Sequence, residues 1–174
     1  MTTRIRLLST SDDAALARLQ TQNREFLAPW EPARADSYFT VAGQRAAIDS
    51  ALTRHAHGEA LPLVVLDDDG EIAGRVTLNG IVRGSFQSCS LAYWLAQNQT
   101  GKGLATEAVN AAVERAFTEL ALHRIQAETL PSNTASQNVL ARTGFTRFGL
   151  APRFLKIADR WEDHLLFQRL NDND

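Results

Sequence analysis

The most regular pattern in the chain is a helical repeat of apolar residues that follows Gly103. Apolar side chains return every three or four positions, at Ala105, Ala108, Val109, Ala112, Val113, Ala116, Phe117 and Leu120. Polar side chains fall on the opposite side, at Glu107, Asn110, Glu114 and Thr118. Because residues three and four apart share one face of a helix, this spacing predicts a long amphipathic helix. Its alanines would let the helix lie close against a sheet.

Shorter apolar stretches predict β-strands. Leu61 to Leu66 is an unbroken apolar run, and Asp67–Asp68–Asp69–Gly70 after it favours a tight hairpin turn into a return strand. The predicted strands are Ile5 to Leu8, Leu61 to Leu66, Ile72 to Val82, Phe86 to Leu95, Arg124 to Leu130, Thr146 to Leu150, Phe154 to Ile157 and Leu165 to Leu170. Since helices interrupt these strands, the pattern indicates a mixed α/β fold.

Residues typical of helix ends mark two further helices in the first third of the chain. One starts at Ser11, Asp12 and Asp13, where carboxylates suit the positive end of a helix. Leu16, Leu19, Asn23 and Phe26 follow it at helical spacing, and Pro29 and Pro32 end the segment. The other helix is predicted from Val41 to His57, with its end at Gly58.

A short helix is predicted near the start of the last quarter of the chain. Thr134 and Gln137 have the spacing of a capping box, with Asn133 as a competing cap. Gly144 occupies the position after the helix, where a left-handed conformation is common, and Phe145 can pack back on the helix. No linker and no repeat divides the chain, so we expect one domain over residues 1–170 and a disordered tail at 171–174.

Composition narrows the class of protein without naming its activity. The chain has 174 residues and a net charge of −2, so it lacks the basic surface of a nucleic-acid binder. A single cysteine, Cys89, excludes an internal disulfide framework and a cysteine-rich zinc site. No apolar run reaches the length of a membrane span, and the N-terminus has no signal-peptide core. We therefore expect a soluble, cytoplasmic protein without a metal.

The segment Asn98 to Ala108 carries the strongest chemical signal. Gly101 and Gly103 let the backbone turn sharply just before the long helix, whose first amides and dipole favour a phosphate group. The spacing of a Walker loop is absent. A dinucleotide fingerprint needs a third glycine or alanine where Thr106 stands, and an acid at the end of the next strand. Two interpretations of this segment remain. It is either the pyrophosphate loop of a coenzyme A enzyme or a plain glycine turn before a core helix.

The stretch from Tyr93 to Ala108 resembles the acetyl-CoA signature of the GNAT (GCN5-related N-acetyltransferase) superfamily. The family pattern Gln/Arg-x-x-Gly-x-Gly/Ala matches Thr100 to Ala105 except at the first position, where Thr100 replaces the usual Gln or Arg. Backbone amides carry the phosphate cradle, so this change leaves it intact. The resemblance implies these acetyl-CoA-binding residues: Tyr93, Trp94, Leu95, Thr100, Gly101, Lys102, Gly103, Leu104, Ala105, Thr106, Asn133 and Ser136.

The same resemblance assigns the leaving-group chemistry to the second half of the site. Many relatives place a tyrosine four residues before the glycine as the acid for the departing thiolate, but Leu140 occupies that position here. Ser136, one helical turn after Asn133, is the substitute that the ribosomal-protein branch suggests. Simple helix capping would also explain Asn133 and Ser136.

Four further segments resemble the ribosomal-protein alanine/serine N-acetyltransferases of this superfamily. They are Asn23 to Pro32, Phe86 to Cys89, Leu122 to Ile125 and Trp161 to His164. The resemblance covers nearly the whole chain. It implies a mixed, mostly antiparallel sheet flanked by about four helices, with a splayed strand pair at the acetyl-CoA site, whose free amides lie near Leu91 to Leu95.

The implied reaction is transfer of acetyl from acetyl-CoA to a primary amine, such as the N-terminal amine of a ribosomal protein or peptide. A small amine, such as an antibiotic or polyamine, is the alternative acceptor, and a non-catalytic acyl-CoA sensor is the alternative of another class. Glu128 is a candidate base, although a solvated strand carboxylate or a water chain would fit equally. Predicted acceptor-binding residues are Glu25, Trp30, Glu31 and Ser90. Monomer and homodimer both remain open.

Overall fold

A computed structural model describes residues 4–172 and contains one seven-stranded sheet. Its strands are β1 (Ile5–Leu7), β2 (Leu61–Leu66), β3 (Ile72–Val82), β4 (Ser88–Leu95), β5 (Arg124–Thr129), β6 (Thr146–Ile157) and β7 (Arg160–Leu170). They lie in the order β1-β2-β3-β4-β5-β7-β6. All neighbours are antiparallel except β4 and β5, which are parallel. The predicted mixed, mostly antiparallel sheet is confirmed.

Five α-helices cover the two faces of the sheet in the described residues. They are α1 (Asp13–Gln22), α2 (Arg24–Leu27), α3 (Val41–Ala56), α4 (Leu104–Thr118) and α5 (Thr134–Arg142). One apolar core joins α4 and α5 to the sheet and contains the fully buried Val109, Ala112 and Ala116. A smaller core, with Leu16 and Ile48, joins α1 and α3 to the other face.

The parallel pair β4 and β5 separates soon after it begins. Only Ser88, Cys89 and Ser90 of β4 are in register with β5, opposite 124–126. Beyond Ser90, β4 continues beside β3 as far as Leu95, while β5 continues beside β7 as far as Thr129. The predicted splayed pair is therefore present, and the edges of 91–95 and 127–129 that face each other have no ladder partner among the described residues.

The first predicted helix is broken at Asn23. The backbone and side-chain amides of Asn23 both donate to the Leu19 carbonyl, which ends α1, and α2 starts at Arg24. The Asn23 side-chain oxygen accepts from the Gln97 amide at 2.8 Å. A buried polar side chain with two hydrogen bonds thus occupies a position that the helical spacing had assigned to the apolar face.

The cap of α5 also differs from the capping box predicted at Thr134. Asn133 is the cap, because its side-chain oxygen accepts from the Ser136 amide at 3.1 Å. Gln137 does not return to the cap and donates to the carbonyls of Leu130 and Pro131. Gly144 adopts the predicted left-handed conformation, with a φ of 80°, and Phe145 packs in the core.

The last two strands are longer than their sequence patterns predicted. The two separate segments predicted around Thr146–Leu150 and Phe154–Ile157 form one strand, β6, with a register shift between Ala151 and Leu155. Beside it, β7 begins at Arg160 rather than at Leu165. Asn171, the first residue of the predicted tail, donates its backbone amide to the His123 carbonyl. Residues 173 and 174 of that tail lie outside the described residues.

Candidate active site

The opening between β4 and β5 leads into a cavity of about 580 Å³. The splayed edges of both strands line it, together with the segment before α4, the first turns of α5 and the segment around Trp30. A cavity of this size matches the usual volume of small-molecule and cofactor sites. The splay is thus the place where the fold can admit a ligand between two strands.

The segment before α4 has the conformation that the glycine pattern predicted. Gly101 and Gly103 have φ values of 76° and 84°, which a side chain would strain, and no heavy atom lies near the position of an added Cβ. No side chain caps α4, so the amides of its first turn are not bonded within the helix. With the helix dipole, these amides can hold a diphosphate group.

The side chain of Thr100 is held inside its own loop. Its hydroxyl donates to the Gln97 carbonyl at 2.7 Å. This bond fixes the turn of Gln97–Gln99 that precedes the glycines. A short local bond therefore stabilises the loop at the position where the family pattern has a longer Gln or Arg.

Ser136 lies beside the phenol of Tyr93 at the α5 side of the opening. The two hydroxyl oxygens are 2.7 Å apart, and the Tyr93 hydroxyl also lies 3.2 Å from the Ser136 carbonyl. Burial raises the pKa of Tyr93 to about 12, against a smaller opposing effect of the Ser136 bond, so the phenol keeps its proton at neutral pH. Ser136 can therefore accept from Tyr93 and donate onward to a ligand atom in the cavity.

Glu128 forms the polar centre on the other face of the sheet. Its carboxylate accepts from the Ser90 hydroxyl at 3.0 Å. Burial raises the pKa of Glu128, while the Ser90 hydrogen bond and the nearby His164 lower it by less. His164 is buried, and its Nδ1 lies 3.0 Å from the Glu162 carbonyl, which fixes the ring. A carboxyl with a raised pKa is a candidate proton acceptor near neutral pH.

These two polar centres face opposite sides of the sheet. Along β5, Ile125 and Ala127 pack in the core with α4 and α5, so the alternate residue Glu128 points toward the side of α1–α3. Ser136 and Tyr93 lie on the side of α4 and α5. The opening between β4 and β5 joins the two sides, so a proton acceptor and a proton donor can act on one molecule that passes through it.

The remaining predicted site residues divide into two groups. Those that line the cavity are Trp30, Glu31, Trp94, Leu95, Thr100, Gly101, Gly103, Leu104, Ala105, Thr106 and Asn133. Glu25, Lys102 and Ser90 are not among its lining residues. Lys102 donates to the Gln99 side chain at 3.1 Å, and Ser90 reaches the site through Glu128.

Sequence reasoning missed several polar groups of the cavity. It placed Tyr93 in the acetyl-CoA segment but not its bond to Ser136, because β4 and α5 are far apart in the chain. Arg75 lines the cavity, and its buried Nε has no hydrogen-bond partner. The buried hydroxyl of Thr129, at the end of β5, also has none. A buried polar atom without a hydrogen bond destabilises the free protein, and a bound polar ligand can supply the missing bond.

Other candidate chemistry in the chain is structural. Cys89 is buried in the core, and burial raises the pKa of its thiol to about 12, which leaves it protonated and unsuited as a nucleophile. Among residues 4–172, no three His, Cys, Asp or Glu side chains lie close enough to hold a metal ion. No helix within this range is long and apolar enough to cross a membrane.

Comparisons with known proteins identify the family of the chain. The family model of the acetyltransferase (GNAT) domain matches residues 3–146. The [ribosomal protein uS5]-alanine N-acetyltransferase of Escherichia coli is 38% identical over 93% of this chain and 84% of its own length. The ribosomal-protein-S5-alanine acetyltransferase from Vibrio fischeri superposes with a TM-score of 0.92 at 36% identity, over 97% and 93% of the two chains.

A ligand-bound relative has the same fold. Mycobacterium smegmatis RimJ, in complex with CoA-disulfide, superposes with a TM-score of 0.93 at 33% identity, over 97% of this chain and 82% of that one. The glycine loop before α4, the splayed strands and these matches lead to one conclusion. The chain belongs to the GNAT family of acetyltransferases and is an N-acetyltransferase.

Proposed function

We propose that this enzyme transfers the acetyl group of acetyl-CoA to the N-terminal α-amine of a protein or peptide, such as a ribosomal protein. Acetyl-CoA is the acyl donor of the family. The observation that carries the proposal is the pair of polar centres, Glu128 with Ser90 and Ser136 with Tyr93, on either side of one opening. The relatives named for the alanine of ribosomal protein S5 support the choice of acceptor and, with it, a cytoplasmic location.

The α4 end of the cavity suits the coenzyme. The free amides from Gly101 to Ala105 would hold its diphosphate, and the unpaired edge of β4 would bond to the pantetheine arm as an added strand would. The orphan hydroxyl of Thr129 lies on the cavity wall at the end of β5 and offers one further bond. This arrangement would bring the thioester to the opening between the strands.

The reaction follows from the two centres. The neutral amine attacks the thioester carbonyl, and amides near Leu91 to Leu95 stabilise the resulting oxyanion, an effect of about 3 kcal/mol per donor. Glu128 takes a proton from the amine nitrogen. The carbon–sulfur bond then breaks, and Ser136 gives its proton to the thiolate while Tyr93 donates to Ser136. The products are an acetylated amine and free coenzyme A.

The proposed acceptor can be tested with labelled acetyl-CoA. The protein would be incubated with N-terminal peptides, ribosomal proteins and small amines, and the products identified by mass spectrometry. We expect label on α-amines of peptides. Label on small amines alone would contradict the peptide acceptor, and lack of acetyl-CoA binding by calorimetry would reject catalysis at this site.

A further inference from the structure

Three arginines line the cavity on the side of α1–α3, and none has an ion-pair partner in the described part of the chain. They are Arg34 from the segment after α2, Arg54 from α3 and Arg75 from β3. Arg34 lies over the ring of Tyr38, and Arg54 makes only a long contact of 3.5 Å to the side chain of Asn79. Their guanidinium groups therefore retain capacity to bind a further partner.

Ion pairs of arginine do form elsewhere in the described part of the chain. Several arginines outside the cavity pair with carboxylates, among them Arg6 with Asp12 and Arg45 with Asp13. The cavity itself is lined by only two carboxylates, Glu31 and Glu128. The Ser90 bond leaves the charge of Glu128 in place, so two carboxylates are set against three arginines. The acceptor side of the cavity thus carries an excess of positive charge.

Arg75, the most buried of the three arginines, lacks a hydrogen-bond partner for one of its donors. Arg75 is largely withdrawn from water, and its Nε has no hydrogen bond. Burying a guanidinium without pairing it is costly, unless a bound ligand supplies the partner. Asp12 lies near Arg75, but its two oxygens accept from Arg6. Glu31 supplies one negative charge near Arg34 and Arg75, and a bound acceptor can supply the opposing charge that the group of three arginines still lacks.

The arginines lie within reach of an acceptor whose amine is at Glu128. On β3, Asn79 is directly opposite Ser90, and Arg75 is opposite Trp94. Neighbouring strands are about 4.8 Å apart, and an extended peptide advances about 3.3 Å per residue. An acidic side chain at about the second to fourth residue of a peptide could therefore reach Arg54 or Arg75.

We propose that Arg34, Arg54 and Arg75 bind an anionic side chain of the acceptor, and that the preferred acceptor is a peptide with Asp or Glu among residues two to four. The inference rests on the proposed function and specifies its substrate class. A carboxylate there would form charge-assisted hydrogen bonds with guanidinium groups, which present planar pairs of donors. Replacing this Asp by Asn, or this Glu by Gln, would remove the charge and leave the size of the side chain almost unchanged.

The test uses matched peptides that differ only in charge. Each pair has the same free N-terminus and carries Asp or Asn, or Glu or Gln, at position two, three or four. For the wild-type enzyme we expect kcat/KM to be roughly tenfold or more higher for the acidic member at one of these positions, the size of one charge-assisted bond. The preference should shrink as salt is added.

Variants of the exposed arginines assign the preference to this group. The double variant R34Q/R54Q should reduce the acidic-to-amide ratio by about threefold or more, because it removes two of the three positive charges and leaves Arg75 alone. Arg147→Gln is the matched control, since Arg147 is exposed on β6 and does not line the cavity. That variant should keep the wild-type ratio. Circular dichroism of each variant checks its fold.

Two results would overturn the inference. One is equal kcat/KM for both members of every pair in the wild-type enzyme, and the other is an unchanged ratio in R34Q/R54Q. If no peptide is acetylated, the proposed function fails, and the same pairs are then titrated by calorimetry against the protein with coenzyme A. Tighter binding of acidic peptides would still support the arginine site, and equal binding would reject it.

Discussion

At the scale of single residues, the chemistry of the site depends on two hydroxyl groups that adjust their neighbours. Ser90 bonds to the carboxylate of Glu128, and Tyr93 bonds to the hydroxyl of Ser136. The first bond favours the charged form of a carboxyl whose burial favours the neutral form. The second places a protonated phenol within hydrogen-bond distance of the serine hydroxyl. Each partner should have a distinct kinetic signature.

Removing the Ser90 hydroxyl should move the acid limb of the rate profile to higher pH. The Ser90 bond lowers the pKa of Glu128, so Ser90→Ala raises it further, and Glu128 must be deprotonated to accept the proton of the amine. We expect the acid limb of kcat to move to higher pH in this variant. The titration of the amine is common to both enzymes and cancels in the comparison. A shift to lower pH, or none, would contradict the role of Glu128.

Tyr93 and Ser136 should behave as one unit in catalysis. Ser136→Ala should lower kcat by roughly a hundredfold if Ser136 donates the proton to the thiolate, and Tyr93→Phe by roughly tenfold. The double variant should be no slower than Ser136→Ala, because Tyr93 acts through Ser136. Steady-state kinetics with saturating acetyl-CoA measures all three. Losses that multiply would show that the two groups act independently.

At the scale of elements, the ends of helices and strands place these groups. Asn133 caps α5 and thereby directs Ser136 toward Tyr93 on β4. Gly101 and Gly103 leave the first amides of α4 open toward the cavity. The early separation of β4 from β5 supplies the opening. The site is thus built where elements begin and where a sheet divides, rather than on a long flexible loop.

The cap of α5 can be tested by a matched pair of variants. Asn133→Ala removes the bond to the Ser136 amide and should lower the free energy of unfolding by about 1 kcal/mol. Thr134→Ala is the control, because Thr134 is exposed and makes no capping bond, so its change should stay within about 0.5 kcal/mol. Urea denaturation compares both with the wild type. A larger loss in the Thr134 variant would restore the capping box predicted from sequence.

The sequence predicts local features well and contacts between distant elements poorly. The helical conformation of α4 and the turn at the two glycines before it depend only on residues that are close in the chain. Both features could therefore be predicted from the sequence. The break at Asn23 depends on a bond to the Gln97 amide, which is 74 residues away. The continuity of β6 depends on its pairing with β7 across a register shift. Such features need the tertiary structure.

The candidate site likewise contains residues that the sequence predicts and contacts that it does not. The family pattern identifies Gly101, Gly103, Asn133 and Ser136 because their spacing within the chain is fixed. The bond of Tyr93 to Ser136 and the unpaired arginines arise from elements that meet only in the folded molecule. Leu140 illustrates the reason: it is fully buried in the core where many relatives have tyrosine, and the phenol near Ser136 comes instead from β4.

At the scale of the whole molecule, charge is distributed between a few buried pairs and the cavity. Asp12 is buried, and its carboxylate joins Arg6, in β1, to the turn before α1. The net charge of −2 conceals the positive side of the cavity, because acidic residues elsewhere outnumber the basic ones. An average composition therefore contains both a stabilising ion pair and a charged binding surface.

The Asp12 pair should make stability depend on acid pH. Burial would raise the pKa of Asp12, but its bonds to Arg6 and the Ser9 amide lower it below the ordinary value. The stabilisation is therefore present above the ordinary aspartate pKa of about 3.9 and is lost as pH falls below it. Asp12→Asn should cost about 2 kcal/mol at pH 7 and less at pH 3 by urea denaturation, because the stabilisation is lost as the pH falls through the lowered pKa of Asp12. An equal cost at both pH values would contradict this linkage.

The central claim is that the two polar centres serve acetyl transfer to an α-amine. The most direct measurement uses a peptide with a free N-terminus and one internal lysine, incubated with acetyl-CoA and sequenced by tandem mass spectrometry. We expect one acetyl group, on the α-amine, and a strongly reduced rate of peptide acetylation in Glu128→Gln. Acetylation of the lysine instead, or an unchanged rate in Glu128→Gln, would contradict it.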